Sequence, residues 1–257
     1  MKKILNLKYL WIALILLLLL VVYTHHARAA TVNLQAMAKG NARVSQFIQF
    51  LYPKVQAVND QVYKERKQLI ALYQVHKTGT ALSYQQQTWV KQLAKAYDVK
   101  SVNLKQNATW QALLDRVDII PASMVIAQAA NESAWGQSRF AKEGNNYFGQ
   151  HCYRQGCGIV PRRRNPGSVM EVAKFASAKE SIASYIHNLN THGTYKKLRQ
   201  IRAQMRAQGD NKLDGELNGY QLAAGLTHYS ELGVYAQSIR SIIENYGLER
   251  LDNHQLA

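Results

Sequence analysis

Apolar residues that recur every three or four positions run through the first half of this 257-residue chain and commit it to helix. Val44, Phe47, Ile48, Leu51, Val55, Val58, Val62, Leu69, Leu72 and Tyr73 form one stripe at the period of an α-helix, not the two-residue period of a strand. Pro53 lies within the stripe and is expected to kink or split the helix, because its ring removes a backbone donor and crowds the preceding turn. Beyond a turn at Thr78, Gly79 and Thr80 the pattern resumes with Trp89, Val90, Leu93 and Tyr97, and again with Trp110, Leu113, Leu114 and Val117. Residues 30–115 carry no chemical motif and read as a helical module that packs or positions. With 47% hydrophobic residues and only 4 prolines, the chain is composed to bury a core.

The N-terminus constrains location. Lys2 and Lys3 precede an apolar run over 10–23, and Ala27, Arg28 and Ala29 then supply small residues before Ala30. Residues 1–29 are expected to be a cleaved signal peptide, or else an uncleaved anchor holding the chain at the inner membrane. Either way the leading lysines keep the start in the cytoplasm and the remainder crosses the membrane, which predicts a periplasmic or cell-envelope protein. Lys2, Lys3, Lys8 and Arg28 fall in this segment, so the rest holds 28 basic against 16 acidic residues, a net charge near +12. An exported chain of that charge meets anionic wall polymers before it meets nucleic acid, and no nucleic-acid partner is expected.

The second half opens at Asp118, Ile119, Ile120 and Pro121. Pro121 suits the first turn of a helix, residues 122–134 contain no breaker, and Gly136 stops them. Five alanines make this helix slim enough for neighbours to approach closely. From His151 to Gly167 the pattern is irregular, and residues 169–175 then alternate as a strand does, which predicts a small β element. Helical spacing returns through Ile182, Tyr185, Ile186 and Leu189. A loop is expected over 208–215, then a helix through Leu217, Tyr220, Leu222 and Leu226, and a last helix over 234–246 capped by Gly247. Cys152 and Cys157, five apart in an exported chain, are expected to close a small loop as a disulfide. His151 alone is too little company for a metal, and His187 and His192 read as structural or surface residues, so neither a metal nor a cofactor is expected.

Glu132 is the carboxylate best placed for chemistry. It falls in the last turn of the slim helix, with Ala129, Gln128 and Val125 on its own face. The negative pole of a helix C-terminus and an apolar border both disfavour the ionised form and keep a proton available, as a glycosidase acid requires. A capping or ion-paired glutamate would sit in the same place.

The local sequence adds to the geometry. Glu132, Ser133, Ala134, Trp135, Gly136, Gln137 and Ser138, followed by Asn145, Asn146, Tyr147, Phe148 and Gly149, resemble the core of glycoside hydrolase family 73, the β-N-acetylglucosaminidases of bacterial cell walls. Family members place Glu-Ser/Thr-Gly-Trp-Gly at the end of an alanine-rich helix, then an Asn-x-Phe-Gly turn, a short β lobe, and a late tyrosine motif before a Tyr-Ala helix. The late pieces here are His228, Tyr229 and Ser230, then Tyr235 and Ala236. The resemblance covers 117–248, and with its helical N-terminal half the whole chain is similar to the Bax-type proteins of Gram-negative bacteria.

The resemblance implies a mainly α (α+β) fold: a lysozyme-like helical core with a small β lobe, preceded by the helical module. Residues 116–250 would form the glucosaminidase domain and 251–257 a tail. It implies Glu132 as general acid, Tyr229 as a residue that orients or stabilises the reacting sugar, and Trp135, Asn146, Tyr147, Phe148, Gln150 and Tyr235 as residues along the groove. The implied substrate is the glycan strand of peptidoglycan. Many members carry a second acidic residue in the lobe. Here the first half of the lobe holds Arg162, Arg163 and Arg164 instead, and Glu171, the only lobe carboxylate, is the candidate for the second catalytic group, with an exposed glutamate pairing one of those arginines as the alternative. A lytic transglycosylase on the same fold, or a wall-binding protein without turnover, are the competing readings.

Overall fold

The computed structural model describes residues 42–208, 216–226 and 234–252. The chain divides into two compact units, Met1–Gln49 and Phe50–Ala257. Helix α1 runs Ala42–Lys77, α2 Tyr84–Ala96, α3 Asn107–Arg116 and α4 Ala122–Ser133. A short α5, Arg139–Gly144, leads into strands β1 (His151–Cys152), β2 (Gly158–Ile159) and β3 (Glu171–Ala173). Then follow α6 (Ala178–Thr191), α7 (Lys196–Ala207), a one-turn α8 (Gly219–Leu222) and α9 (Val234–Asn245), with 3-10 turns at Gly193–Tyr195, Ala223–Gly225 and Leu248–Leu251. The expected mainly α architecture with a small β lobe is what the molecule shows. The expected signal segment and most of the expected 208–215 loop lie outside the described residues, and among those residues no helix is long and apolar enough to cross a membrane.

Two expectations need correction. Pro53 does not split α1, which is continuous through it. Leu51, Tyr52 and Val55 around it are all buried, and the packing of that face outweighs one missing backbone donor. The strand expected over 169–175 spans only Glu171–Ala173, the centre of a three-stranded antiparallel sheet in the order β1-β3-β2. The disulfide between Cys152 and Cys157 is present and closes the loop between β1 and β2.

Within the larger unit, Leu69, Leu72, Tyr73, Val90, Leu93, Tyr97, Trp110, Leu113 and Val117 form one buried cluster contributed by α1, α2 and α3. The stripes read from sequence meet there. The rest of the core surrounds α4, which is buried from Ala122 to Ala130 and packs against α8, α9 and the last 3-10 turn. Gly219 lets α8 approach, since a Cβ there would lie 2.0 Å from Ser123 Oγ.

A buried ionic knot joins the helical module to the second half. Asp118 is 2% exposed and is met by Arg66 at 3.3 Å, Arg202 at 3.8 Å and Arg206 at 2.8 Å. Burial alone would raise the Asp118 pKa, but the three guanidiniums reverse that and hold the carboxyl below the usual carboxylate range. The same arginines satisfy carbonyls at the C-terminal end of α3. Arg66 donates to Leu114 O at 2.9 Å and Val117 O at 2.8 Å, and Arg202 donates to Asp115 O at 2.8 Å. Asn59 of α1 pairs both ways with the backbone of Ile120 at 2.8 and 3.3 Å, and Asn190 of α6 donates to Asp118 O at 2.8 Å. The segment leading into α4 is therefore held from three helices. At the start of α4, Asp252 accepts from Ser123 N at 2.8 Å, Ser123 Oγ at 2.6 Å and Gly219 N at 2.9 Å, and burial pushes its carboxyl up to about 6 against those bonds.

Asp118→Asn is expected to destabilise the fold by about 3–5 kcal/mol, because it strands buried guanidiniums. In the native protein the Asp118 contribution is complete above its unfolded pKa of about 4 and declines as pH falls toward its depressed folded value, so the urea midpoint should drop below about pH 4. A fragment beginning at Arg116 loses Asn59, Arg66 and most of the α1–α3 cluster. Its near-ultraviolet dichroism should lack the signature of fixed packing, and a cooperative, native-like melt from that fragment would overturn the account.

Candidate active site

Helix α4 leaves the core at its last turn. Asn131 and Glu132 are exposed where Ala122 to Ala130 are buried, and Ser133 turns back inside. The helix ends there because Ala134, Trp135 and Gly136 all take left-handed conformations, with φ of 51°, 57° and 76°. Ala130 O accepts from both Ala134 N and Trp135 N, and the latter bond is 3.0 Å. Ser133 completes the turn: its hydroxyl donates to Ala129 O at 2.5 Å and accepts from Gly136 N at 2.8 Å. The stop thus begins two residues before the glycine that the sequence pointed to, and it depends on a buried serine directly after the acid.

Glu132 is exposed, not set against an apolar border as expected from its helical spacing. Its environment is polar and specific. Tyr235 of α9 donates its hydroxyl to Glu132 Oε1 at 2.7 Å, and Asn131 Nδ2 approaches the same oxygen at 3.2 Å. The other oxygen faces the turn after α5, where a Cβ on Gly149 would lie 3.7 Å from Oε2. Gly149 has φ of +65°, so this turn calls for a glycine and brings bare backbone beside the acid.

The Asn-Tyr-Phe-Gly turn is built on buried groups. Asn146, 1% exposed, donates to Gln150 O and Ala173 O, both at 2.8 Å, and its Oδ1 accepts from Phe148 N and Gln150 N. Its side chain thus joins the turn to β3. Phe148 is buried and stacks on Tyr185 of α6 with ring centroids 4.0 Å apart and planes 4° from parallel. Tyr147 is buried, tilted against Phe50 at 6.1 Å, and burial raises its hydroxyl pKa. The Gln150 amide hydrogen-bonds Ser184 Oγ at 2.8 Å. Trp135 is half-buried and meets Tyr246 edge-on at 4.6 Å. Of the residues picked from sequence, Glu132 and Tyr235 are in direct contact, while Asn146, Tyr147 and Phe148 are scaffold to the turn beside them. Tyr229 lies outside the described residues.

Glu171 is 2% exposed, and its two oxygens accept from Gly156 N at 3.0 Å and Gly158 N at 2.8 Å, with Arg164 at 3.8 Å. The Gly156 and Gly158 amides, and then Arg164, hold its carboxyl below the usual range. Gly158 itself must be glycine, because a Cβ there would lie 2.0 Å from Val172 O. Sequence reasoning did not single out Gln128, Tyr185 or Gly149 as site residues. Gln128 carried a signal in its place four residues before Glu132, and Gly149 in its place at the end of the Asn-Tyr-Phe-Gly motif, whereas Tyr185 carried none beyond helical spacing.

An exposed glutamate at a helix end, held by a tyrosine and faced by a glycine turn, is a geometry that can serve acid catalysis on a solvent-exposed polymer. Residues 107–248 match the glucosaminidase family, described as mannosyl-glycoprotein endo-beta-N-acetylglucosaminidase. The chain belongs to this family and is a glycoside hydrolase, and the family supports peptidoglycan as substrate class and action outside the cytoplasm. Among curated proteins it is 35% identical over 201 residues to Protein bax of Escherichia coli strain K12, spanning 78% of this chain and 68% of that one. Solved structures that it matches include the catalytic domain of the autolysin Auto from Listeria monocytogenes, at TM-score 0.44 and 17% identity over 88% of this chain and 97% of that one. A type VI secretion effector–immunity complex from Pseudomonas protegens matches at TM-score 0.33 and 22% identity over 63% and 93% of the two chains.

The turn after Glu132 yields a stability test. Ala134 is exposed and left-handed, so its methyl packs little and clashes with its own backbone, a cost of about 1–2 kcal/mol. Ala134→Gly should stabilise the protein by about 0.5–1 kcal/mol after the added chain flexibility is counted. A thermal midpoint that falls in this variant would show that the methyl contributes more than the strain removes.

Proposed function

We propose that the chain is an endo-β-N-acetylglucosaminidase that cleaves the β-1,4 bond after N-acetylglucosamine in peptidoglycan, with Glu132 as general acid. The observation that carries this reading is the setting of Glu132: an exposed carboxyl at the end of a buried helix, with one oxygen held by Tyr235 and the other left beside the Gly149 turn. Oε2 is then the oxygen that protonates the leaving sugar, while Tyr235 steadies the carboxylate that remains. Tyr229 supports the charged transition state, and a net charge near +12 beyond residue 29 favours encounter with anionic wall polymer in the envelope. In this reading Glu171 is a positioning residue of the lobe, not the second catalytic group, because both its oxygens are taken up by backbone amides. The substrate's own acetamide then serves as nucleophile, one of the exceptions to the two-carboxylate scheme.

Mass spectrometry of fragments released from purified peptidoglycan tests the assignment. The protein should yield reducing N-acetylglucosamine ends, and Glu132→Gln should abolish them. Anhydro-muramic ends would make the enzyme a lytic transglycosylase, and unchanged release by Glu132→Gln would remove Glu132 from the chemistry. Glu171→Gln should keep turnover within about tenfold of the parent, whereas loss of a true acid–base partner costs about 10²–10⁴-fold.

A further inference from the structure

Behind Glu132 a line of polar side chains runs into the core. Tyr185 of α6, 2% exposed, donates its hydroxyl to Gln128 Oε1. Gln128 of α4, 1% exposed and one turn before Glu132, donates Nε2 to the Tyr235 hydroxyl oxygen at 3.1 Å. Tyr235 donates to Glu132 Oε1 at 2.7 Å. Each donor points the same way, from the core toward the carboxyl. The direction is set at the inner end. A primary amide offers a donor on one side and an acceptor on the other, and the Tyr185 proton claims the acceptor side of Gln128, which leaves its N–H for Tyr235. With its oxygen engaged as an acceptor, Tyr235 has its own proton free for Glu132. Were the amide reversed, Tyr235 would donate to Gln128 and the bond to Glu132 would lose its proton. Tyr185 is in turn held flat against Phe148 of the glycine turn, so the two walls beside Glu132 share one anchor.

We propose that Tyr185 and Gln128 are positioning residues that fix the direction of the Tyr235 hydrogen bond, so that a one-way chain of donors ends on the carboxylate Glu132 becomes when it gives up its proton. A donor aimed at the charged form acts most strongly as charge develops on Glu132 in the transition state, and bonds aligned head to tail strengthen one another. The chain also reserves Oε1 as acceptor and leaves Oε2 for the proton that is transferred. This rests on the assignment of Glu132 as general acid, but the chain itself can be tested without turnover.

Two measurements on the full chain test it. In the first, side-chain ¹⁵N resonances of Gln128 are followed from pH 3 to 8. They should show a titration that Glu132→Gln and Tyr235→Phe each abolish, because ionisation of Glu132 is felt along the donors. Absence of that coupling overturns the proposal whether or not the protein cuts peptidoglycan. In the second, kcat and KM are measured against pH on soluble glycan fragments. Gln128→Met should lower kcat about tenfold, the loss of one hydrogen bond's worth of transition-state stabilisation, with KM nearly unchanged. Tyr185→Phe, which keeps the ring stack, should lower kcat about threefold by the same reasoning. Both should move the alkaline limb of the kcat profile to higher pH, since a Tyr235 hydroxyl no longer polarised through Gln128 is a weaker donor to the developing carboxylate. A fall in kcat with an unmoved limb would reduce both residues to packing and overturn the proposal. If the parent protein does not cleave at all, the general-acid assignment fails and the ¹⁵N coupling alone decides the chain.

Discussion

Burying a carboxylate is costly unless cations and donors replace its water, and Asp118 has both. Three guanidiniums surround it, and two of them, Arg66 and Arg202, also satisfy carbonyls that the end of α3 would otherwise leave bare. The arrangement is mutual. Without Asp118 the arginines would be buried cations that have lost their shared anion, and without them Asp118 would be a buried anion held by the Ile119 amide. Because the knot closes immediately before Pro121, it fixes where α4 begins, and the position of Glu132 at the other end of that twelve-residue helix follows.

Two opposite demands meet on α4. Its first nine residues are buried and apolar enough to serve as the axis of the domain, while its last turn exposes Asn131 and Glu132 to solvent. The chain resolves this with a helix stop of three successive left-handed residues, bonded through Ser133, that turns the backbone away as soon as Glu132 is exposed. Ala134 carries strain there that a glycine would not, and family members have glycine at that place. Such strain is tolerated when the surroundings over-determine the conformation, as Ser133 and the paired bonds to Ala130 O do here.

The β lobe is stabilised by different means, since strands of two and three residues bury little. A disulfide closes the loop between β1 and β2, Asn146 joins β3 to the Asn-Tyr-Phe-Gly turn, and Glu171 holds the amides of Gly156 and Gly158. The basic run Arg162, Arg163 and Arg164 that made the lobe look unlike its relatives is thus partly accounted for, with Arg164 near Glu171 as counter-charge.

Periodicity was enough to read α1, α2, α3, α6 and α9, because a stripe at three- and four-residue steps has one way to bury itself, and the slim helix, its breaker region and the closely spaced cysteines were legible for similarly local reasons, whereas α5 and α7 were not read and the helix expected through Leu217 to Leu226 is a single turn followed by a 3-10 turn. Glu132 was legible because its motif is contiguous. The Asp118 knot was not, because Arg66, Arg202 and Arg206 lie far from it along the chain and a charged residue in a sequence looks the same whether it will be solvated or buried. Nor could the sequence tell that Glu171 would be occupied by amides or that Asn146 and Phe148 would be scaffold. The direction of the hydrogen bonds from Tyr185 through Gln128 and Tyr235 to Glu132 belongs wholly to the tertiary structure. Residue types supply donors and acceptors, but only the packing of α4, α6 and α9 decides which of them meet and which way each proton points.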